Sequence, residues 1–230
     1  AAGFLVQISG GLFQSPIAHY PKQARWDVAP GYEGLVHVDF NRRVTGECLQ
    51  CHTSAAPGRL TAITCERCHG DGDAHALRPA KANIVNPARL GKLERVSVCE
   101  QCHLTGEARI PSPGAEPYRP GQRLEESVSI YVRRGEGLKV VSHVEQLAES
   151  RCGKASPELW CGTCHKAHGE KVDVDGQCRT CHATRPATHP RVEGNCAGCH
   201  MPKRTAVDGL HTAFTDHQSA RPGAGQKAGG

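Results

Sequence analysis

The sequence predicts a mostly irregular fold of short α-helices and a few β-hairpin strands, wrapped around a core that protein side chains do not supply. Three observations predict it. Six times the 230-residue chain writes C-x-x-C, and each time the next residue is His. Only ten residues are aromatic (four Phe, four Tyr, two Trp) and one is Met, too few for a sizeable apolar core. A further 41 are Gly or Pro (26 and 15), which interrupt helices and strands.

The six copies are Cys48-Leu-Gln-Cys51-His52, Cys65-Glu-Arg-Cys68-His69, Cys99-Glu-Gln-Cys102-His103, Cys161-Gly-Thr-Cys164-His165, Cys178-Arg-Thr-Cys181-His182 and Cys196-Ala-Gly-Cys199-His200. C-x-x-C-H is the attachment signature of a c-type haem. Cysteines three apart each form a thioether with one vinyl group, and the adjacent His reaches one face of the iron. C-x-x-C pairs also build zinc sites and redox dithiols, but neither needs a His directly after every pair. The expected cofactor is therefore six covalently attached haem c. Six flat apolar porphyrins, one per roughly 38 residues, leave room for short helices and irregular chain only.

The formal net charge is +5. Six bis-ligated haems, each net −1 when ferric, bring it to about −1 oxidised and about −7 reduced. The Lys and Arg are then read as propionate partners. Nucleic acid is excluded as a partner, because no basic run is interleaved with aromatics. No apolar run is long enough for a transmembrane helix. Haem attachment takes place outside the cytoplasmic membrane in bacteria. The expected location is therefore periplasmic or extracellular, with the sequence a mature form whose leader has been removed.

The motifs divide the chain. Residues 1–47 form a haem-free extended segment, in which "FLVQISGGLFQSPI" reads as strand, Gly-Gly turn and further extended chain. Residues 48–103 hold three motifs, and 104–150 form a haem-free linker. Within it "IPSPGAEPYRPG" is a loop, "SVSIYVRRGEGLKVV" reads as a β-hairpin turning at Gly135-Glu136-Gly137, and Ser142 with Glu145 forms a capping box for a helix starting at His143. Residues 151–217 hold the other three motifs, and 218–230 form a Gly-rich tail of flexible composition, held by a neighbouring subunit if ordered.

Each iron needs a second axial ligand. Eight histidines lie outside the motifs. Six of them, His75, His143, His168, His189, His211 and His217, are the expected distal ligands, with His19 and His37 in reserve. The competing reading of any one is a surface imidazole or a propionate partner. Supply exceeds demand, which favours closed six-coordinate irons. His168 stands too close to its own motif to reach the far face of that haem and is better placed for a neighbour. Cys152 belongs to no pair and reads as a buried thiol, with an intermolecular disulfide as the alternative. "GDGD" at 70–73 and "DVDGQ" at 173–177 lack a closing Glu for calcium and read as turns.

The segments "CERCHGDGDAH", "NPARL" before "VCEQCH", "HVEQLAESRC", "CGTCHKAHG", and "CAGCHMPKR" followed by "HTAFTDH" resemble bacterial multihaem cytochromes c with doubled C-x-x-C-H motifs, a type often fused to tetratricopeptide repeats. The resemblance runs from about residue 25 to 222. It implies bis-His electron carriers of the periplasm or cell exterior, and the same six distal histidines. Relatives often carry a further motif nearer the N-terminus and repeats after the haem region; these 230 residues hold neither.

The expected function is electron transfer along a continuous haem chain, carrier rather than catalyst, between other redox proteins as donor and acceptor. Head-to-tail self-association into an extracellular conductive filament is a further expectation. The alternative is a multihaem reductase of a small nitrogen or sulfur compound at one open haem; it is disfavoured because every motif ends in His. The purified protein should carry six haems per chain by pyridine haemochrome absorbance. Cys152 should be its single alkylatable thiol, counted by mass.

Overall fold

The structure is a computed structural model that describes residues 2–56, 59–61, 63–104, 108–131, 137–184, 189 and 194–219. The Gly-rich tail from 220 onward and the turn at 135–136 lie outside the described residues.

The chain opens with a three-stranded antiparallel sheet in the order β1-β2-β3: β1 (Ala2–Ile8), β2 (Gly11–Tyr20) and β3 (Arg25–Val28). Ile8 pairs with Gly11, so the turn residues are Ser9 and Gly10, one place earlier than the Gly-Gly reading. Both have positive φ, 47° and 77°, which matches a two-residue hairpin turn to strand twist. Pro16 sits in the central strand, where a missing N–H would break the ladder. The register shift opposite Gly3 to Leu5 absorbs it as a bulge. Ala18 and Tyr20 from β2 pack with Ala29 and Tyr32 into a small core. Tyr32 Oη donates to Gln14 O at 2.8 Å and fastens the following loop back to the sheet.

Beyond the sheet the elements are short: α1 (Gly46–His52), β4 (Ser54–Ala56), β5 (Arg59–Thr61), α2 (Glu66–His69), α3 (Asp73–Leu77), α4 (Lys92–His103), β6 (Ala108–Pro111), α5 (Leu124–Ser127) and β7 (Val128–Tyr131). The second half holds α6 (His143–Glu149), α7 (Arg151–Ala155), α8 (Cys161–Cys164), α9 (Val174–Cys181), α10 (Cys196–His200), β8 (Lys203–Ala206) and β9 (Gly209–Thr215). The small sheets are antiparallel pairs, β4-β5, β6-β7 and β8-β9. This is the short-helix, small-hairpin, largely irregular architecture that the sequence predicts.

Three local expectations change. The strand at 128–131 forms, but its partner is β6 at 108–111, with Ala108 opposite Tyr131. Residues 137–141 are not a strand, so the expected 128–141 hairpin is replaced by a longer-range pair. The helix at His143 starts as expected, but Ser142 Oγ turns away from it. It donates to Lys139 O at 2.8 Å and takes a bond from the Gln146 side chain, so no capping box forms. The two Asp-Gly segments are helix starts rather than bare turns: Asp73 opens α3, and Asp173 caps α9 by accepting from Gly176 N at 2.8 Å.

Polar fasteners hold the pieces. Gln101 of α4 is buried and donates to Arg67 O at 3.1 Å, tying α4 to α2. Asp175 of α9 accepts from Cys196 N at 2.7 Å and from Asn195 N, so α9 caps α10. Ser150 is 1% exposed; it donates to Leu147 O at 2.7 Å and accepts from Gly153 N at 2.8 Å, closing the α6–α7 corner. Gly153 is required there, because a Cβ would collide with the Leu147 carbonyl. Ser150→Ala removes both bonds and should lower the unfolding free energy of the holoprotein by about 1–2 kcal/mol in guanidinium titration.

Candidate functional site

Every motif occupies a helical turn. Cys48, Cys51 and His52 lie on α1; Cys68 and His69 on α2, with Cys65 at its N-cap; Cys99, Cys102 and His103 on α4. Cys161 and Cys164 form the ends of α8 with His165 as its C-cap; Cys178 and Cys181 lie on α9 with His182 as its C-cap; Cys196, Cys199 and His200 lie on α10. A helical turn puts residues three apart on one face, so both thiols of each pair point the same way. The following His leaves at the helix end. No disulfide joins any two of the thirteen cysteines.

The motifs meet through sulfur. The Cys51 thiol donates to Gln101 O at 3.4 Å and the Cys102 thiol to Cys51 O at 3.8 Å. α4 thus meets α1 at the first and third motifs. The neighbouring Cys102 thiol, then the Arg109, His52 and Arg67 charges, lowers the Cys51 thiol, and Cys102 is pushed up correspondingly. Burial raises Cys68, Cys164 and Cys178. Cys152 sits on α7, where the Ser219 hydroxyl donates to its sulfur at 3.6 Å.

The imidazoles are paired. His69 and His168 have ring centroids 5.9 Å apart at 10°, His165 and His217 6.1 Å at 28°, and His189 and His200 6.1 Å at 25°. His103 and His143 stand 5.2 Å apart at 87°, and His143 and His217 4.9 Å at 80°. A metal about 2 Å from each of two imidazole nitrogens, each about 1 Å from its ring centre, sets the centroids about 6 Å apart. Three pairs have that spacing, and each joins one motif histidine to one outside the motifs. His103–His143 makes the same combination about 1 Å closer.

Several rings are also oriented as ligands are. A metal-bound His ordinarily donates its other ring N–H to a carbonyl, which fixes the ring. His69 Nδ1 donates to Val85 O at 2.7 Å, His217 Nδ1 to Thr215 O at 2.9 Å, and His75 Nδ1 to Ala80 O and Asn83 Oδ1, both at 3.0 Å. Asn83 in turn holds α3 by donating to Ala74 O and Arg78 O. His143 Nδ1 is buried with no hydrogen-bond partner. Burial, then the neighbouring imidazoles, pushes the His143 ring down to about 4; burial likewise lowers His103 and His217. These are neutral imidazoles, the form that ligates metal.

The polypeptide fits a large apolar cofactor in a second way. A folded chain of 24.6 kDa exposes about 10,000 Å². This one exposes 16331 Å². Among the described residues the buried apolar side chains are Ala18, Tyr20, Ala29, Tyr32, Val98, Leu124 and Ala206, while Val36 and Leu77 are about nine-tenths exposed at 91% and 89%. Such a shell does not close on itself.

Of the other candidates, His19 packs on Trp26 in the N-terminal sheet at 5.0 Å, and His37 lies in an exposed loop. His211 lies on β9, with its side chain outside the description. Residue-type reasoning missed the positioning groups. Gln146 Oε1 accepts from His217 N at 2.7 Å and Asn83 braces His75; no motif signals either residue. Several arginines expected at propionates are engaged by protein: Arg109 donates to Gln101 O and Leu104 O, and Arg95 stacks over Trp160 and pairs with Glu158.

No protein-family model matches this chain. Over 105 residues it is 29% identical to the Chaperone protein DnaJ of Streptococcus thermophilus, covering 46% of this chain and 25% of that protein. Its fold is similar to that of the outer cell wall cytochrome OcwA, known from a crystal structure, with a TM-score of 0.55 at 14% identity. That likeness covers 94% of this chain and 65% of the cytochrome, so the chain spans about two thirds of that structure and a quarter of the chaperone. No helix among the described residues is long and apolar enough to cross a membrane.

If the shell folds only on a cofactor, chain made in cells lacking haem-attachment machinery should show flat near-ultraviolet dichroism and no cooperative unfolding. The attached form should unfold in a sharp transition.

Proposed function

We propose that this chain is a hexahaem c-type cytochrome that passes electrons between redox partners outside the cytoplasmic membrane. The observation that carries this reading is the pairing of motif histidines with outer histidines at a spacing suited to one iron between them. The cytochrome-like fold adds support.

Haem, when bound, supplies a one-electron iron couple. The chain's residues do the rest. Cys48, Cys51, Cys65, Cys68, Cys99, Cys102, Cys161, Cys164, Cys178, Cys181, Cys196 and Cys199 tether the group through thioethers. His52, His69, His103, His165, His182 and His200 would each give the group one imidazole ligand, and His75, His143, His168, His189, His211 and His217 would give the second. Two strong-field imidazoles hold their positions in both iron states, so reorganisation stays small. Val85 O, Ala80 O and Thr215 O accept the Nδ1 protons of His69, His75 and His217 and fix those rings. Segments 48–103 and 151–217 each carry three haems, and 1–47 and 104–150 frame them.

The wide edge of the N-terminal sheet supports head-to-tail association into a filament. β1 is an unpaired edge strand that exposes Phe4, Leu5 and Ile8 at 46%, 45% and 41%. Electron micrographs showing only compact monomers would remove that part.

The first test is carbon monoxide added to the dithionite-reduced holoprotein. Unchanged visible bands are expected, because six strong ligands leave no open position. A shift of about one sixth of the absorbance marks one open iron and moves the reading to a small-molecule reductase.

A further inference from the structure

We propose that the two haem groups are interlocked by shared ligation: His168 and His143, from beyond the first group, complete the iron sites of His69 and His103 within it. This rests on the bis-histidine reading above and adds which histidine serves which iron.

Proximity in sequence points elsewhere. His75 follows His69 by six residues, and His168 follows His165 by three. The structure instead turns the ring of His75 to Ala80 and Asn83. His69 faces His168 at 5.9 Å with planes 10° apart, although 98 residues lie between them in the chain. His165 faces His217 at 6.1 Å. Among the described pairs, His200 takes a partner from close by, facing His189 at 6.1 Å.

The same crossing recurs at the centre. His103, His143, His217 and His165 form a row with centroid separations of 5.2, 4.9 and 6.1 Å. The outer two are motif histidines of different groups. The inner two are the outer-ligand candidates, in edge contact with each other. Gln146 sits one turn after His143 on α6 and accepts from His217 N at 2.7 Å, so one helix positions both inner rings. The first group cannot complete two of its three iron sites without residues 143 and 168. The two groups are one unit, joined at the His143–His217 contact.

The near-parallel His69–His168 planes and the perpendicular His103–His143 planes give these two sites different low-spin ferric spectra: the perpendicular pair belongs to the strongly anisotropic, large-gmax type. The experiment uses the full holoprotein. His168→Ala should make about one haem in six reactive with carbon monoxide. Adding Cys65→Ala and Cys68→Ala removes the haem at His69, and the carbon monoxide reaction should then vanish, because His168 has no other iron to serve. A reactive haem that persists in this five-haem protein overturns the proposal. His143→Ala should remove one large-gmax component and put a high-spin ferric signal in its place; an undiminished large-gmax signal overturns the second pairing. If the five-haem variant does not accumulate, a cryo-electron-microscopy map of the unaltered holoprotein decides. His168 opposite His69 supports the interlock and any other imidazole there overturns it. Wild-type protein that already binds carbon monoxide at closed sites would instead refute the bis-histidine reading itself, a result seen before any variant is made.

Discussion

Two imidazoles set about 6 Å apart form the unit on which the rest of this structure depends, and the chain repeats it at His69–His168, His165–His217 and His189–His200. The protein contributes little apolar core of its own. Its largest buried cluster is four residues of the N-terminal sheet, Ala18, Tyr20, Ala29 and Tyr32. Elsewhere short helices carry the thiols and imidazoles, and apolar side chains such as Leu77 stay exposed. Hydrophobic burial is non-directional and scales with apolar area, so a shell of this kind acquires stability from what it encloses.

Where core packing is thin, directional bonds take over the positioning. The Asp175 carboxylate of α9 accepts both N–H groups at the start of α10 and so holds the fifth and sixth motifs together. Gln101 ties α4 to α2, and the Arg109 guanidinium braces the backbone at the end of α4. Each is a charged or amide group serving as a strut. Short elements of four to eight residues have no stability alone in water. They persist because neighbouring segments satisfy their ends.

The two likenesses to known proteins differ in reach. The match to the chaperone is stronger in identity but covers less than half of this chain, whereas the likeness to the outer cell wall cytochrome extends over 94% of it at 14% identity. Local composition rich in Cys and Gly is shared easily between unrelated chains. The path of a whole backbone through short helices and small hairpins is not, and it is the second likeness that bears on architecture.

The sequence by itself determined the six Cys-Cys-His turns. C-x-x-C-H needs only one helical turn to bring both thiols and the imidazole into use, and one turn is a local event that six separate segments achieve independently. It also determined the short helix at His143, the N-terminal hairpin and the irregular remainder, since turn glycines and apolar patterning act over a few residues. Tertiary structure decided the partners. Val128–Tyr131 pairs with Ala108–Pro111 rather than with the chain just after it, because a ladder needs a matched edge and not proximity in sequence. Ser142 bonds back to Lys139 instead of capping its helix. The choice of His168 opposite His69, with 98 residues between them, follows from how α2 and the loop after α8 come together. A histidine's identity is written in the sequence; the ring it faces depends on contacts between distant segments, which no local pattern encodes.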